Sequence, residues 1–383
     1  MGEMREKDDG EGMSGTREEL TGVPGLARLV VVDRTGSTND DLRSALTGVD
    51  GRLDLRAAAA WPHISALWAR RQDAGRGRAG RRWITPPGSA LTVSFVLRPL
   101  VPAAALAWLP LLAGLAARDV VDAILISARA PWRARTKWPN DVVLVPNERA
   151  GEGTAAGAGV GIGVGEGTGG GAGDAAVPVP AEIPGWGRAR KVAGVLAELI
   201  PTAGGIGART SAGTTGTADA SGAVAAGAAD VPGAVGAAGA PGGGGAVGAD
   251  RGAACAVVLG IGVNTGQSES ELPVPWATSL RLAGARVEPR ALLEPLSARL
   301  DELVTAWEAG EGDPDAGDGA LGAALRRACT TLGRRVRVDA PGGVLRGTAV
   351  DIAPGLVLRG ADGTMRTVDA GDVSHVRTDG AVD

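Results

Sequence analysis

The sequence predicts an α+β chain that ends in a small β-barrel, and three observations carry that prediction. Up to about residue 330, segments with helical spacing are mixed with short β-branched runs. From Leu332 onward the texture changes to RRVRVDA, VLRGTAVDI, LVLRG and MRTVDAGDVSHV, short alternating segments separated by Gly, Pro and Asp. That is how a small all-β unit of SH3-like size reads. Thirdly, two tracts of Ala, Gly, Ser, Thr and Pro, at about 148–182 and 202–252, interrupt the mixed part. They hold few large apolar side chains to offset the entropy of ordering, so they are expected to be flexible insertions. The expected organisation is a disordered stretch over 1–22, a folded unit over 23–330 and a C-terminal unit over 331–378.

The elements follow from local pattern. Leu29–Val32 is a buried strand ending at Asp33, and Thr35-Gly-Ser-Thr-Asn39 supplies N-cap residues for a helix through Leu42 and Leu46. Ile64–Arg70 and Leu91–Leu97 are strands on either side of a Gly/Arg loop. Ala and Leu favour helix from Pro102 to about Ile124, with a kink or break at Pro110. Arg133–Trp138 and Val142–Val145 are paired strands around the Pro139-Asn140 turn. Val192, Val195, Leu196, Leu199 and Ile200 fall on one face of a helix, and Ala254–Val263 is a fully buried strand. Leu292, Leu296, Leu300, Leu303 and Trp307 mark a further amphipathic helix.

Composition narrows the function classes. At 383 residues, one domain per roughly 150 would allow two or three. The 63 glycines, however, are concentrated in the tracts, which leaves one large unit and one small one. A net charge of −4 argues against whole-surface attraction to nucleic acid or anionic membrane. Two cysteines, Cys255 and Cys329, make neither a disulfide framework nor a zinc site. The charged N-terminus lacks the apolar run of a signal peptide, and no long apolar span is present, so a cytoplasmic protein is expected.

Five segments could carry chemistry. In Gly75-Arg76-Gly77-Arg78-Ala79-Gly80-Arg81-Arg82-Trp83, glycines allow close backbone approach and four arginines supply permanently charged donors. The pattern suits a phosphate or carboxylate, with Trp83 able to stack on a base; an RGG-like nucleic-acid tract or a solvated basic loop fits as well. Without tyrosine, and with one phenylalanine, the nucleic-acid reading lacks its stacking platform. Lys137-Trp-Pro-Asn-Asp141 sets an amide beside a carboxylate: Asn140 could bond a phosphate or ribose and Asp141 could hold Mg²⁺, or the pair could simply be turn formers. Lys191 could reach an α-phosphate or be an ordinary exposed lysine. Gly260-Ile-Gly-Val-Asn264 ends a strand, either for ligand approach at Gly260 or Gly262 or as a bulge. The fifth is Ser37-Thr38-Asn39 with Gln72. No Walker A pattern occurs, so an ATP site would be of another kind.

Taken in order, STND, QDAGRGRAGRRW, KWPND, RKVAGVLAEL and GIGVN resemble the biotin–protein ligase family, over about Arg28 to Thr378 without the insertions. The resemblance implies a mixed β-sheet backed by helices, class II synthetase-like, with a C-terminal SH3-like barrel. It implies activation of biotin by ATP, with Mg²⁺, and transfer to a lysine of the biotin carboxyl carrier domain of acyl-CoA carboxylases. Ser37, Thr38, Asn39, Gln72, Gly75, Arg76, Gly77, Arg78, Lys191 and Gly194 are then expected at biotin. Arg76, Arg78, Arg81, Trp83, Asn140, Asp141, Lys191 and Asn264 are expected at ATP, with Lys191 and Arg78 catalytic and Asp141 at the metal. Some members carry an N-terminal DNA-binding winged helix; the short polar stretch before Leu29 does not suit one, so no DNA or membrane binding is expected. A lipoate–protein ligase-like acyl-adenylate transferase and an Arg/Gly-loop nucleic-acid-binding protein are the competing readings.

Overall fold

In the computed structural model, which describes residues 14–83, 86–147, 180–202, 255–369 and 371–375, the chain alternates strands and helices up to about residue 330 and is all β thereafter. In order come β1 (Ser14–Leu20), β2 (Arg28–Arg34), α1 (Thr38–Leu46), α2 (Leu55–Ala59), β3 (Ser65–Ala69), β4 (Gly75–Arg76), β5 (Arg82–Trp83) and β6 (Ala90–Leu97). They are followed by α3 (Leu109–Ser127), β7 (Trp132–Lys137), β8 (Asp141–Pro146), β9 (Arg190–Pro201), β10 (Cys255–Asn264), α4 (Leu293–Ala309) and α5 (Ala320–Ala328). The C-terminal strands are β11 (Arg335–Ala340), β12 (Gly343–Ala353), β13 (Gly355–Arg359), β14 (Met365–Val368) and β15 (Asp372–His375).

Eight strands form one mixed sheet in the order β1-β2-β3-β6-β10-β9-β8-β7, with β2–β3 its parallel pair. Both faces are covered, which is why β6 is buried at every residue. Leu91, Val93, Phe95 and Leu97 face a core shared with α3 and α4. Val96 of the alternate set joins Leu42 and Leu46 of α1 on the opposite face. Thr92 and Ser94, equally buried, lie on that second face and mark it as the polar one.

Helix α1 begins as expected: the Ser37 side chain accepts from the Asp40 backbone N–H at 3.4 Å, and Thr38, Asn39, Leu42 and Leu46 are buried on one stripe. Pro110 acts as a break, with a 3₁₀ segment over Ala103–Trp108 and α3 starting at Leu109, where proline at the first turn loses no hydrogen bond.

Two expectations are corrected. The stretch 190–200 is not a helix but β9, a strand between β10 and β8. Its helical spacing comes from a register shift: Val142 pairs Ala193 while Val143 pairs Lys191. Val192 is thus the extra residue of a bulge; Val192, Ala193 and Val195 all enter the core, an i, i+3 pattern made by a strand. Residues 1–22 are not wholly outside the fold, because β1 pairs with β2 along the sheet edge. The C-terminal strands form a five-stranded antiparallel sheet, β14-β13-β12-β11-β15; among the described residues no pairing joins β14 to β15 to close a barrel. The long buried strand extends to Asn264, and position 254 lies outside the described residues.

The C-terminal sheet shares its core with the main one through Val336, Val338, Ile352 and Leu358. Most of each expected insertion, residues 148–179 and 203–254, lies outside the described residues, as do 1–13. Among the described residues no helix is long and apolar enough to cross a membrane.

Candidate active site

The polar face of the large sheet carries the site, and two glycines of β10 make room for it. A Cβ on Gly260 would run into the Asn39 amide, and one on Gly262 would sit 2.6 Å from the Trp83 ring. The two positions are two residues apart on one strand, roughly 6.8 Å along it, so Asn39 and Trp83 lie over neighbouring places on the same sheet face. On β9, a Cβ on Gly194 would come within 3.2 Å of the Lys191 side chain and 3.4 Å of Trp83. The Val192 bulge thus turns Lys191 to the same side as Gly194.

At one end is a neutral, buried chain. The Thr38 backbone N–H donates to Gln72 Oε1 at 2.7 Å, with the Thr38 hydroxyl 3.0 Å from the same oxygen. Thr38 Oγ1 is 2.7 Å from Ser94 Oγ, which donates to Asn39 Oδ1 at 2.6 Å. Asn39 Nδ2 donates to Glu198 Oε2 at 2.7 Å. Gln72 itself is positioned by the loop: a Cβ on Gly75 would meet Trp83 O at 2.5 Å and Gln72 Nε2 at 3.1 Å. Arg76 leaves this chain at the rim, paired with Asp40 at 2.6 Å and 3.9 Å from Glu198.

At the other end charges gather on the β7–β8 hairpin. Lys191 Nζ pairs with Asp141 Oδ1 at 2.6 Å and lies 5.8 Å from the centre of the Trp83 ring. Asn140 anchors itself by donating from Nδ2 to Val195 O at 2.7 Å, and its Oδ1 accepts from Arg78 at 3.4 Å. Burial holds the Arg78 guanidinium below its usual pKa, opposed by Asp372 and Asp141. Trp83 Nε1 is a buried donor without a partner among the described residues, on the edge of the ring next to Gly262.

The structure brings together Thr38, Asn39, Gln72, Gly75 and Gly194 with Arg78, Trp83, Asn140, Asp141 and Lys191. Others stand apart. Ser37 spends its oxygen on the α1 cap. Arg81 is ion-paired with Asp372 of the C-terminal sheet. Gly77 closes the loop by donating to Arg81 O at 2.7 Å. Asn264 is buried with its amide committed, donating to Thr278 O and accepting from Gln267, both at 2.9 Å.

Residues not singled out from sequence complete the arrangement. Ser94 and Glu198 extend the neutral chain; a serine in the centre of LTVSFVL, a strand with no exposed residue, was the available signal for the first. Lys137 is 4 % exposed, donates to Val373 O at 2.6 Å and lies 4.4 Å from the Trp186 ring, itself stacked on Trp276. Burial pushes its ammonium pKa down, while Asp141 pushes it up. Lys137 and Trp138, whose indole donates to Pro354 O at 3.3 Å, thus dock the C-terminal sheet behind the charged hairpin.

A resident metal ion does not fit this donor set. Asp141 is engaged by Lys191, and among the described residues no group of three or more His, Cys, Asp or Glu could hold an ion. Magnesium arriving on a triphosphate takes most ligands from phosphate and water and needs only one or two protein carboxylates.

Comparison with known proteins gives matches in sequence and in fold. Residues 53–210 match the model of the Biotin/lipoate A/B protein ligase family, and residues 331–376 match that of the Biotin protein ligase C terminal domain. A biotin--[acetyl-CoA-carboxylase] ligase of Mycobacterium tuberculosis is 28% identical over 94% of both chains. The enzyme of the same name from Paracoccus denitrificans is 38% identical over 31% of this chain and 42% of its own. Among solved structures, the biotin protein ligase of Aquifex aeolicus in complex with biotin and ATP shares the fold, with a TM-score of 0.51 at 18% identity over 91% of this chain and 99% of that one.

Proposed function

We propose, for a chain that belongs to the biotin protein ligase family and is a ligase, a two-step reaction in which biotin is activated by ATP and then passed to a protein lysine. In the first step a biotin carboxylate oxygen attacks the α-phosphorus, the bond to the β-phosphate oxygen breaks, and pyrophosphate leaves. In the second, the neutral amine of a target lysine attacks the acyl carbon of biotinyl-5′-AMP; AMP leaves and the nitrogen loses a proton. The target is the biotin carboxyl carrier domain of an acyl-CoA carboxylase; the name of the mycobacterial relative, biotin--[acetyl-CoA-carboxylase] ligase, supports that class.

The observation that carries this reading is the adjacency of a neutral hydrogen-bonding end and a cationic end across Trp83 on one sheet face. Thr38, Asn39 and Gln72 suit the uncharged head of biotin. That places its carboxylate toward Lys191 and Arg78, whose charges offset the two anions that must meet. No protein nucleophile is required: positioning and charge neutralisation are the catalysis. ATP enters as its magnesium complex, with Asn140 and Asp141 beside the phosphates and Trp83 near the adenine. The loop over β4 and β5 closes the site against water that would hydrolyse the mixed anhydride.

The nucleic-acid reading is disfavoured because Arg76 and Arg81 are ion-paired within the protein. Lipoate remains the second reading, since the matching family model covers both acids. The test is incorporation of pyrophosphate into ATP with biotin or lipoate, followed by labelling of a carrier domain. Biotin-dependent exchange supports the proposal; exchange with lipoate alone replaces it.

A further inference from the structure

We infer that Glu198 is a positioning residue that fixes the sense of the Asn39, Ser94 and Thr38 hydrogen bonds, and so helps select a ligand with a cyclic urea's pattern of acceptor and donors. The inference rests on the biotin reading above and extends it to a residue outside the ligand's reach.

The argument is one of proton bookkeeping along a closed chain. A carboxylate only accepts, so the group that Asn39 turns to Glu198 Oε2 at 2.7 Å is its NH₂. The Asn39 oxygen must then face Ser94, and an amide oxygen also only accepts, so the Ser94 proton is committed to it at 2.6 Å. Ser94 Oγ, fully buried, can satisfy its 2.7 Å contact with Thr38 Oγ1 only by accepting. The one Thr38 proton is therefore drawn to Ser94 at 2.7 Å rather than to Gln72 Oε1 at 3.0 Å, which the Thr38 backbone N–H already serves. Gln72 Oε1 is held by the Thr38 backbone N–H at 2.7 Å, which leaves the Gln72 NH₂ on the loop side, next to Gly75.

The outcome is a surface of defined sense: Thr38 offers an oxygen that accepts, and Gln72 offers an N–H that donates. Biotin's ureido ring presents a carbonyl acceptor flanked by two N–H donors, which is the complementary pattern. A hydroxyl or amide free to turn would accept a ligand of either sense. Here the Thr38 sense is set chiefly from β9: the 3.5 Å contact of Asn39 with Leu196 O is outweighed by its 2.7 Å contact with an acidic side chain that is 14% exposed. Its second oxygen faces Arg76 at 3.9 Å, so the carboxylate also touches the loop, and the test must separate the two roles.

The experiment uses the full chain and measures Kd by calorimetry for biotin and for 2-iminobiotin, in which a C=NH group replaces the ureido carbonyl. Wild type should prefer biotin strongly. Glu198→Gln keeps the shape but can donate as well as accept, so Asn39 is released to turn over. The expected result is a Kd for biotin raised about tenfold and a markedly smaller preference over 2-iminobiotin, with KM for ATP and kcat at saturating biotin within about twofold. Ser94→Ala, which cuts the chain at its centre without touching a charge, should narrow the preference likewise, and it serves if the first variant does not fold. Asp40→Asn frees Arg76 but leaves the chain intact, and should retain the preference. Unchanged selectivity in both Glu198→Gln and Ser94→Ala, or equal loss in Asp40→Asn, overturns the inference. Failure of wild type to bind biotin at all overturns the biotin reading instead, and is seen in the first titration.

Discussion

The two ends of the site are built from opposite materials. The Thr38–Asn39–Ser94–Gln72 end is neutral and set by a helix start and the middle of a sheet; its residues other than Gln72 are buried to 4 % exposure or less. The Arg78–Lys191–Asp141 end is charged and partly solvated, held by a loop, a bulge and a hairpin tip. Neutral groups can be buried cheaply when their partners are complete, and their value lies in direction. Charges resist burial, and their value lies in offsetting other charges. On the proposed reading the first end recognises and the second reacts, so the two should fail differently when altered.

The largest effect should come from the charged end. Lys191→Ala should lower biotin-dependent pyrophosphate exchange by on the order of 10²–10³, as removal of a group that stabilises developing charge does elsewhere. Some stability should go too, because the side chain is 23% exposed and its partner Asp141 only 15%, so turnover is compared per folded enzyme. Biotin affinity by calorimetry should fall far less than turnover; an equal collapse of both would erase the contrast.

Arg78→Gly should follow, with a change of about 10- to 100-fold, the equivalent of one charge-assisted hydrogen bond. Here the readout is escape of activated biotin: blots of a non-carrier protein should show more random labelling than with wild type. Background labelling by both, with adenylate still formed, would remove Arg78 from the lid.

Gly260→Ala addresses the neutral end. The added methyl runs into Asn39, so about 1–3 kcal/mol of stability should be lost by denaturant titration, together with biotin affinity. Normal biotin affinity in that variant would show that Asn39 is not at the ligand.

What could be read in advance follows the same division. Elements whose signal is local were legible: the Ser37 cap, the Leu91–Leu97 strand, the β7–β8 hairpin and the Leu296–Trp307 stripe of α4. The β9 segment was not, because one bulged residue converts the two-residue period of a strand into helix-like spacing. In the site, glycines, arginines and the KWPND turn announced the charged end. Glu198 and Ser94 stayed hidden, since a buried polar residue gains meaning only from partners more than fifty positions away. Lys137 was hidden likewise, its partner being Val373.

The smallest effect concerns what stands behind the charged end. Burial, with Lys137 and Arg334, depresses the His375 pKa to about 4 from 6.5. The unfolded chain therefore binds a proton more readily than the folded one between those values. This contribution to stability is complete above pH 6.5 and is lost as pH falls toward 4. From about pH 7.5 to about 6 the loss should be just under 1 kcal/mol, and His375→Phe should flatten it. Because His375 stays neutral in the folded chain over that range, the effect should appear in stability alone, with KM for ATP and biotin affinity unmoved by it.

The most direct test of the division of labour is pyrophosphate–ATP exchange by the intact chain with biotin, with lipoate and with neither. The account predicts exchange with biotin and none above background in the other two. Exchange with lipoate at a comparable rate would mean that the neutral end does not select its ligand, and no exchange with either acid would mean that the charged end does not activate one.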